Sequence, residues 1–317
     1  MAARHDVRIW LALSTVYLVW GSTFIALAIV VRDLPPLMAM SARHVVAGGV
    51  LLAFALPHGD REHDRIGRRQ IGAALVFGGL LFVVGHGSLA WAQQTVPAGV
   101  AALLIGTIPI WIVLLDRVCF GRRLRGSAYA GVVLGFVGLG FLFDPFGEGS
   151  VDRLGALVIV LSALSWAAGS LYSRGAPLPR RPLVSAGLAS LCGGVLLLVA
   201  SLAAGELGTA HLSQDALLAL GYLIVAGSFV GFTAYVWLLR VAPISLVGTY
   251  AYVNPIVAVF LGWALLGEEV TVQMAAAGAA IVVSVALIVR ASGSAVEPGR
   301  GLLRRRRPIP AAAEPAA

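Results

Sequence analysis

Residues 85–97 read GHGSLAWAQQTVP, and residues 231–243 read GFTAYVWLLRVAP. Gly85, Trp91 and Pro97 return as Gly231, Trp237 and Pro243, each 146 residues later. The same offset, with no gap, lays Trp20 on Trp166, Pro36 on Pro182, Gly48 on Gly194, Pro109 on Pro255 and Gly121 on Gly267. Unrelated apolar segments coincide in Leu and Ala. They do not coincide repeatedly in Trp, of which the whole chain has 7. The chain is therefore two copies of one unit.

Composition says what kind of unit it is. Of 317 residues, 59% are hydrophobic and 12% charged, about half the roughly 25% charge of an ordinary soluble domain. Disordered chains are poor in apolar residues, so disorder is excluded as well. The apolar residues come in runs of about 20, the length that crosses a hydrocarbon layer of about 30 Å. Ten such spans lie between charged breaks, at 9–31, 35–56, 70–92, 96–116, 126–142, 154–173, 183–204, 216–239, 243–265 and 271–290. The sequence thus predicts an all-α polytopic membrane protein with short loops and no soluble catalytic domain. The first run follows Arg4 and Arg8 and contains Ala26-Leu27-Ala28, but it exceeds a signal h-region of about 7–15 residues and is read as a retained helix.

The net charge of +8 invites a nucleic-acid reading, yet the basic residues, all arginine, sit in short loops and at the ends rather than on one face. No nucleic-acid partner is expected. Cytoplasmic loops hold the excess of basic residues. With the N-terminus inside, twenty of the 23 arginines fall on one side, Arg32 and Arg153 on the other, and Arg43 within a span. Both termini are therefore expected in the cytoplasm. The boundaries read as a cytoplasmic N-terminus 1–8, a first repeat 9–142, an external connection 143–153, a second repeat 154–290 and a disordered cytoplasmic tail 291–317. Cys119 and Cys192 have neither disulfide nor zinc spacing and read as small packing residues. No cofactor or metal is expected.

Five spans per copy force the second copy to enter the membrane from the opposite side, so the copies are inverted repeats. That architecture serves alternating access around a midplane site and points to a secondary transporter. The segments Trp20-Gly21-Ser22-Thr23-Phe24, Pro35-Pro36-Leu37-Met38, Val96-Pro97-Ala98-Gly99-Val100-Ala101, Ser165-Trp166-Ala167-Ala168-Gly169-Ser170 and Tyr250-Ala251-Tyr252-Val253-Asn254-Pro255 resemble those of the drug/metabolite transporter superfamily, in its ten-helix branch of two EamA repeats. The resemblance covers about residues 9–290. It implies a substrate cavity between helices 1–4 and 6–9, helices 5 and 10 more peripheral, and export of small metabolites or drug-like compounds across a bacterial inner membrane.

Within the spans, polar residues are the candidates. Arg43 lies about eight residues into helix 2, a depth at which Arg costs on the order of 2.5–3.5 kcal/mol on insertion scales. It is either a cationic anchor for substrate or a helix tie, and its repeat mate is Ala189. His44, the mate of Ser190, and His86, the mate of Phe232, are candidates for proton coupling, because His changes charge between about pH 5 and 8. Tyr250 and Asn254, four apart on one helix face, are candidates for hydrogen bonds to substrate. Trp20 and Trp166 lie well inside their spans as candidate aromatic walls. Trp91, Trp237, Trp10, Trp111 and Trp263 read as interfacial or lipid-facing.

Pro109 and Pro255 are expected to kink helices 4 and 9 and to free the carbonyls of Ile105 and Ala251. No span interior holds Asp or Glu, which argues against carboxylate-based proton exchange. Small residues at Gly131 with Gly135 and at Ala276 with Ala280 allow close packing of helices 5 and 10, within the chain or in a homodimer. The Arg304–Arg307 run is expected to meet anionic lipid. Two other classes are alternatives: a non-transporting scaffold, and an intramembrane enzyme using Gly21-Ser22, Gly87-Ser88 or Gly169-Ser170 with His86 as base. Convergence of the polar side chains on one central cavity discriminates against the scaffold.

Overall fold

A computed structural model describes residues 2–58, 66–121, 126–143, 152–242 and 244–293, without the side chains of residues 2–6, 240, 244–245 and 291–293. The described residues form helices and no strands. Ten segments are laid out as α1 (Ala2–Asp33), α2 (Pro36–Ala55), α3 (Arg68–Ala92), α4 (Ala98–Phe120), α5 (Gly126–Leu142), α6 (Arg153–Tyr172), α7 (Pro182–Ala203), α8 (Gln214–Leu239), α9 (Tyr250–Leu266) and α10 (Val272–Gly293). Eight are long and apolar enough to cross a membrane, and α5 and α9 are shorter apolar helices. This is a polytopic all-α membrane protein.

The helix ends follow from local chemistry, and several repeat across the two halves. Pro36 and Pro182 open α2 and α7, where a missing N–H costs nothing. Gly121 and Gly267 end α4 and α9 at φ of 67° and 69°, a left-handed cap that suits glycine. Asp152 caps α6, accepting from Leu154 N at 3.0 Å and from Thr95 Oγ1 at 2.7 Å. The Thr95 hydroxyl, then the backbone donors, hold its carboxyl below the usual carboxylate range.

Two acidic loop residues cap helices of the other half. Glu206 accepts from Leu37 N at 3.3 Å and Met38 N at 2.8 Å, at the start of α2. Glu268 accepts from Ala98 N at 2.5 Å and Gly99 N at 2.9 Å, at the start of α4. Orphan helix N–H groups and the positive end of the helix dipole both favour a carboxylate there.

The mates α2 and α7 pack closely and antiparallel. Arg181 at the start of α7 donates to Ala55 O at the end of α2, and Ser41 donates to Gly194 O nearer the other end. A Cβ on Gly48 would stand 2.8 Å from Gly187 O, and one on Gly194 2.7 Å from Val45 N, so glycine at both positions lets the backbones touch. The mates α5 and α10 run antiparallel in the same way: Ser284 Oγ donates to Gly131 O at 2.6 Å, while Gly138 faces Ile281 and Ala277. Corresponding helices that pair antiparallel make the two halves inverted repeats.

Helix α1 starts at Ala2, ahead of the apolar span 9–31, since Ala2–Arg8 contains no helix breaker. The Gly131–Gly135 face of α5 is occupied by α10 within the chain, and Ala276 is exposed. Cys119 is exposed, while Cys192 is half-buried. Trp10, Trp91 and Trp263 face outward. Trp111 instead packs on Phe136 at 5.5 Å and donates to Thr107 Oγ1 at 3.2 Å, and Trp237 packs against the Leu13–Val16–Leu238–Val247 cluster. The connection at 144–151, Arg304–Arg307 and the rest of the tail from 294 lie outside the described residues.

Candidate functional site: a central cavity

A cavity of about 350 Å³ lies between the halves, with walls from α1–α4 and α6–α9 and none from α5 or α10. Toward the starts of α2 and α4 it is sealed by a large apolar core that includes Val30, Leu34, Met40, Ala92, Val96, Val100 and Leu104. Toward the other end its walls are Leu51, Ile112, Ala186 and Tyr250, all half-buried. The starts of α2 and α4 are also the ends held by Glu206 and Glu268. The cavity is thus closed on one side and reaches toward the side that carries the arginine-rich loops.

The cavity wall includes Trp20, Arg43, His44, His86, Trp166, Tyr250 and Asn254, together with Pro109 and Pro255. Trp20 stands edge-on to Tyr250, with ring centroids 5.2 Å apart, and its Nε1 donates to Gly227 O at 3.3 Å. Trp166 lies against His86 with centroids 5.0 Å apart. Aromatic faces thus line both repeats' contributions, one Trp from each at the repeat-equivalent position.

His44 and His86 form a chain with Ser190. The Ser190 hydroxyl donates to His44 O at 3.2 Å, and His44 Nδ1 lies 3.1 Å from Ser190 Oγ. Ser190 therefore accepts from His44 Nδ1–H. His44 Nε2 is left as acceptor for His86 Nδ1–H, at 2.8 Å. With both rings neutral, His86 Nε2 keeps a free lone pair. Arg43 is buried, 8% exposed, and its Nε donates to Ser228 Oγ at 3.3 Å. Ser228 in turn donates to Leu223 O at 3.2 Å. Asn254 is 8% exposed, and its Oδ1 is buried without a hydrogen-bond partner.

The prolines act differently from expectation. Helix α4 is interrupted at Gly106-Thr107, and Pro109 sits in the first turn of the segment Ile108–Phe120, where its ring costs no helical hydrogen bond. Pro255 lies inside the continuous helix Tyr250–Leu266. The corresponding interruption falls one turn earlier, at Gly248-Thr249 between Ile244–Val247 and α9. Ile105 and Ala251, each four residues before a proline, both line the cavity. Irregular backbone at membrane depth is tolerated where it borders a cavity.

Sequence reasoning missed a second symmetric device. Gly79–Gly87 of α3 and Leu223–Gly231 of α8 are π-helical, almost at repeat-equivalent positions. π-helical turns disturb the backbone ladder and concentrate at functional sites. Hydroxyls from α6 satisfy the first: Ser162 donates to Gly85 O at 2.7 Å and Ser165 to Leu80 O at 2.9 Å. The second receives Trp20 Nε1 and Ser228. Both segments line the cavity, through Leu81, Phe82 and His86 on one side and Gly227 and Ser228 on the other. The dense glycines at 85, 87, 227 and 231 were the available signal.

The nucleophile reading finds no support in the geometry. Ser22 Oγ donates to Val19 O and Ser170 Oγ to Trp166 O, each on its own helix, and His86 is engaged by His44. Among the described residues no group of three His, Cys, Asp or Glu is placed to hold a metal ion.

Known proteins share this arrangement. The model of the EamA-like transporter family matches residues 8–143 and 153–290, one match for each half. The chain belongs to the EamA-like transporter family. A relative from Escherichia coli (strain K12), named "Uncharacterized inner membrane transporter YedA", is 38% identical over 86% of this chain and 87% of its own length. A second from the same organism, named "Probable amino-acid metabolite efflux pump", is 25% identical over 81% of this chain and 86% of its own. A solved crystal structure, 24% identical, aligns with a TM-score of 0.62 over 88% of this chain and 96% of that chain, and so shares the fold. Membership in the EamA-like family points to a membrane transporter rather than an enzyme.

Proposed function

We propose that this EamA-like chain is a secondary transporter that exports a small organic metabolite or drug-like compound across a bacterial inner membrane by alternating access. The observation that carries the reading is convergence. Trp20, Arg43, His86, Trp166, Tyr250 and Asn254, drawn from five helices of an inverted repeat, meet in one cavity closed at one end. A membrane scaffold has no use for such convergence. The relatives' names, an inner membrane transporter and an efflux pump, support the location and the direction.

With the arginine-rich loops in the cytoplasm, the cavity here reaches inward, ready to load cargo for export. The two tryptophans form its aromatic walls. Tyr250 and Asn254 offer hydrogen bonds, and the His44–His86 pair carries any coupled proton, since no carboxylate is among the described residues that line the cavity. Breaks in α4 and α9 and the π-helical turns in α3 and α8 are the pliable points about which the halves exchange shapes.

A thermal-shift screen of purified protein against amino acids, nucleosides and amphipathic drugs tests the site. The expected result is stabilisation by one class, lost in Trp166→Ala and Asn254→Ala. Stabilisation that survives both substitutions, or none by any class, overturns the site assignment.

A further inference from the structure

Among the described residues, the cavity walls hold one permanent charge and no group that balances it. Arg43 is the only Arg, Lys, Asp or Glu among the lining residues. The other titratable groups are His44, His86 and Tyr250. Among the described residues Arg43 makes no ion pair. Its one hydrogen bond, from Nε to Ser228 Oγ, is to a neutral group and leaves the Nη edge of the guanidinium unspent.

The described acids are engaged elsewhere or face out. Glu206 and Glu268 cap α2 and α4 at the sealed end. Asp33 accepts from Ser213, Asp152 from Thr95, and Asp116 pairs with Arg174. Asp215 and Glu269 are exposed.

The fold keeps room for the free edge of that guanidinium. A Cβ on Gly227 would stand 3.2 Å from Arg43 Nη2 and 3.1 Å from Thr23 Cγ2. The π-helical turn of α8 therefore presents glycine where a side chain would crowd the arginine. Burying an unpaired cation is costly, and removal of that cost by a bound counter-charge is a large gain. Elsewhere in the lining, Asn254 Oδ1 is buried and lacks a donor. The cavity thus offers a cationic fork and an orphan acceptor within walls otherwise largely apolar and aromatic.

We infer that Arg43 is a specificity-determining residue, and that the cargo is an organic carboxylate bearing a hydrogen-bond donor, with an apolar body that fits about 350 Å³. Two carboxylate oxygens match the planar fork of Arg better than a point cation would. The donor of the cargo serves Asn254, and its apolar body lies against Trp20 and Trp166. Cations are disfavoured by repulsion from Arg43, and a neutral isostere leaves the guanidinium uncompensated. This inference rests on the transporter reading and names the substrate class of that same site.

The test uses purified full-length protein and size-matched pairs: aliphatic, aromatic and α-amino carboxylates, each beside its amide. Quenching of cavity tryptophan fluorescence reports binding. In the wild type, at least one carboxylate is expected to bind at least about tenfold tighter than its amide. Arg43→Gln is expected to abolish that preference. Arg43→Lys, which keeps the charge and guards against misfolding of the glutamine variant, is expected to retain a weakened preference. If no carboxylate in folded wild-type protein outbinds its amide, or if Arg43→Gln keeps the preference, the inference is overturned. Flux in proteoliposomes separates the two readings. Selective carboxylate binding without flux of those compounds defeats the transporter reading, whereas saturable flux of amides or cations alone defeats the role given to Arg43.

Discussion

His44 and Ser190 occupy the same place in the two repeats, 146 residues apart, and they touch: His44 Nδ1 lies 3.1 Å from Ser190 Oγ. Two equivalent positions meet only where the symmetry axis passes, so the pseudo-two-fold runs between α2 and α7 at the cavity wall. The duplicated unit placed His on one side of that axis and Ser on the other. Arg43, beside His44, likewise has Ala189 as its repeat mate. The polar chemistry of the cavity is thus asymmetric on a symmetric frame.

Ser190→Ala removes the partner of His44 Nδ1 and the donor to His44 O. A hydrogen bond between membrane helices averages about 0.6 kcal/mol, with a maximum near 1.7. A loss of that order in unfolding free energy is expected, read by denaturant titration in detergent. In transport assays, His86→Gln is expected to flatten any dependence of flux on pH between about 5 and 8.

Gly48→Leu is expected to disrupt the fold strongly, because even a Cβ there would stand 2.4 Å from Leu191 N. Backbone atoms cannot yield as a flexible side chain can, so α2 and α7 must part. The check is loss of monodisperse protein on size exclusion. Gly49→Leu, where a Cβ meets nothing within 4 Å, serves as the tolerated neighbour.

Glu268→Ala takes the carboxylate from the first two N–H groups of α4, at a cost of about 1 kcal/mol typical of a lost cap. The change also loosens the sealed end. In a background of Cys119→Ser and Cys192→Ser, Leu89→Cys is expected to react faster with a water-soluble maleimide once Glu268 is replaced.

Asp152 has a folded-state pKa below its unfolded value. Its contribution is present above the ordinary carboxylate range near pH 4 and is lost as pH falls through the lowered folded value. Melting temperature is therefore expected to fall as the solution is acidified below that range. Thr95→Val, which removes the largest cause of the shift, should reduce this acid sensitivity.

Much of this was legible because membrane insertion leaves strong marks in sequence. Ten apolar runs, the offset that pairs Trp20 with Trp166, and the side preference of the arginines define ten helices in two repeats. Arg43 and Asn254 stood out because polar groups at membrane depth need a wet or partnered surface. The positions of the breaks were not legible, and the π-helical turns left only their dense glycines as a signal. Whether a proline kinks, starts or merely occupies a helix depends on which neighbouring carbonyls find partners. For Pro109 and Pro255 that is decided by tertiary packing around Gly106-Thr107 and Gly248-Thr249. The His44–His86 contact was hidden for a similar reason, since 42 residues separate them and only the crossing of α2 and α3 unites them.

Counterflow in proteoliposomes tests the central claim most directly, because it requires one site to load and unload on both sides of a sealed membrane. Vesicles of purified protein, preloaded with a compound found to bind, are expected to accumulate the labelled compound transiently and saturably. Trp166→Ala vesicles are expected to lose most of that signal. Uptake no greater than in protein-free vesicles, from protein shown to be folded and across the whole metabolite panel, would contradict the account.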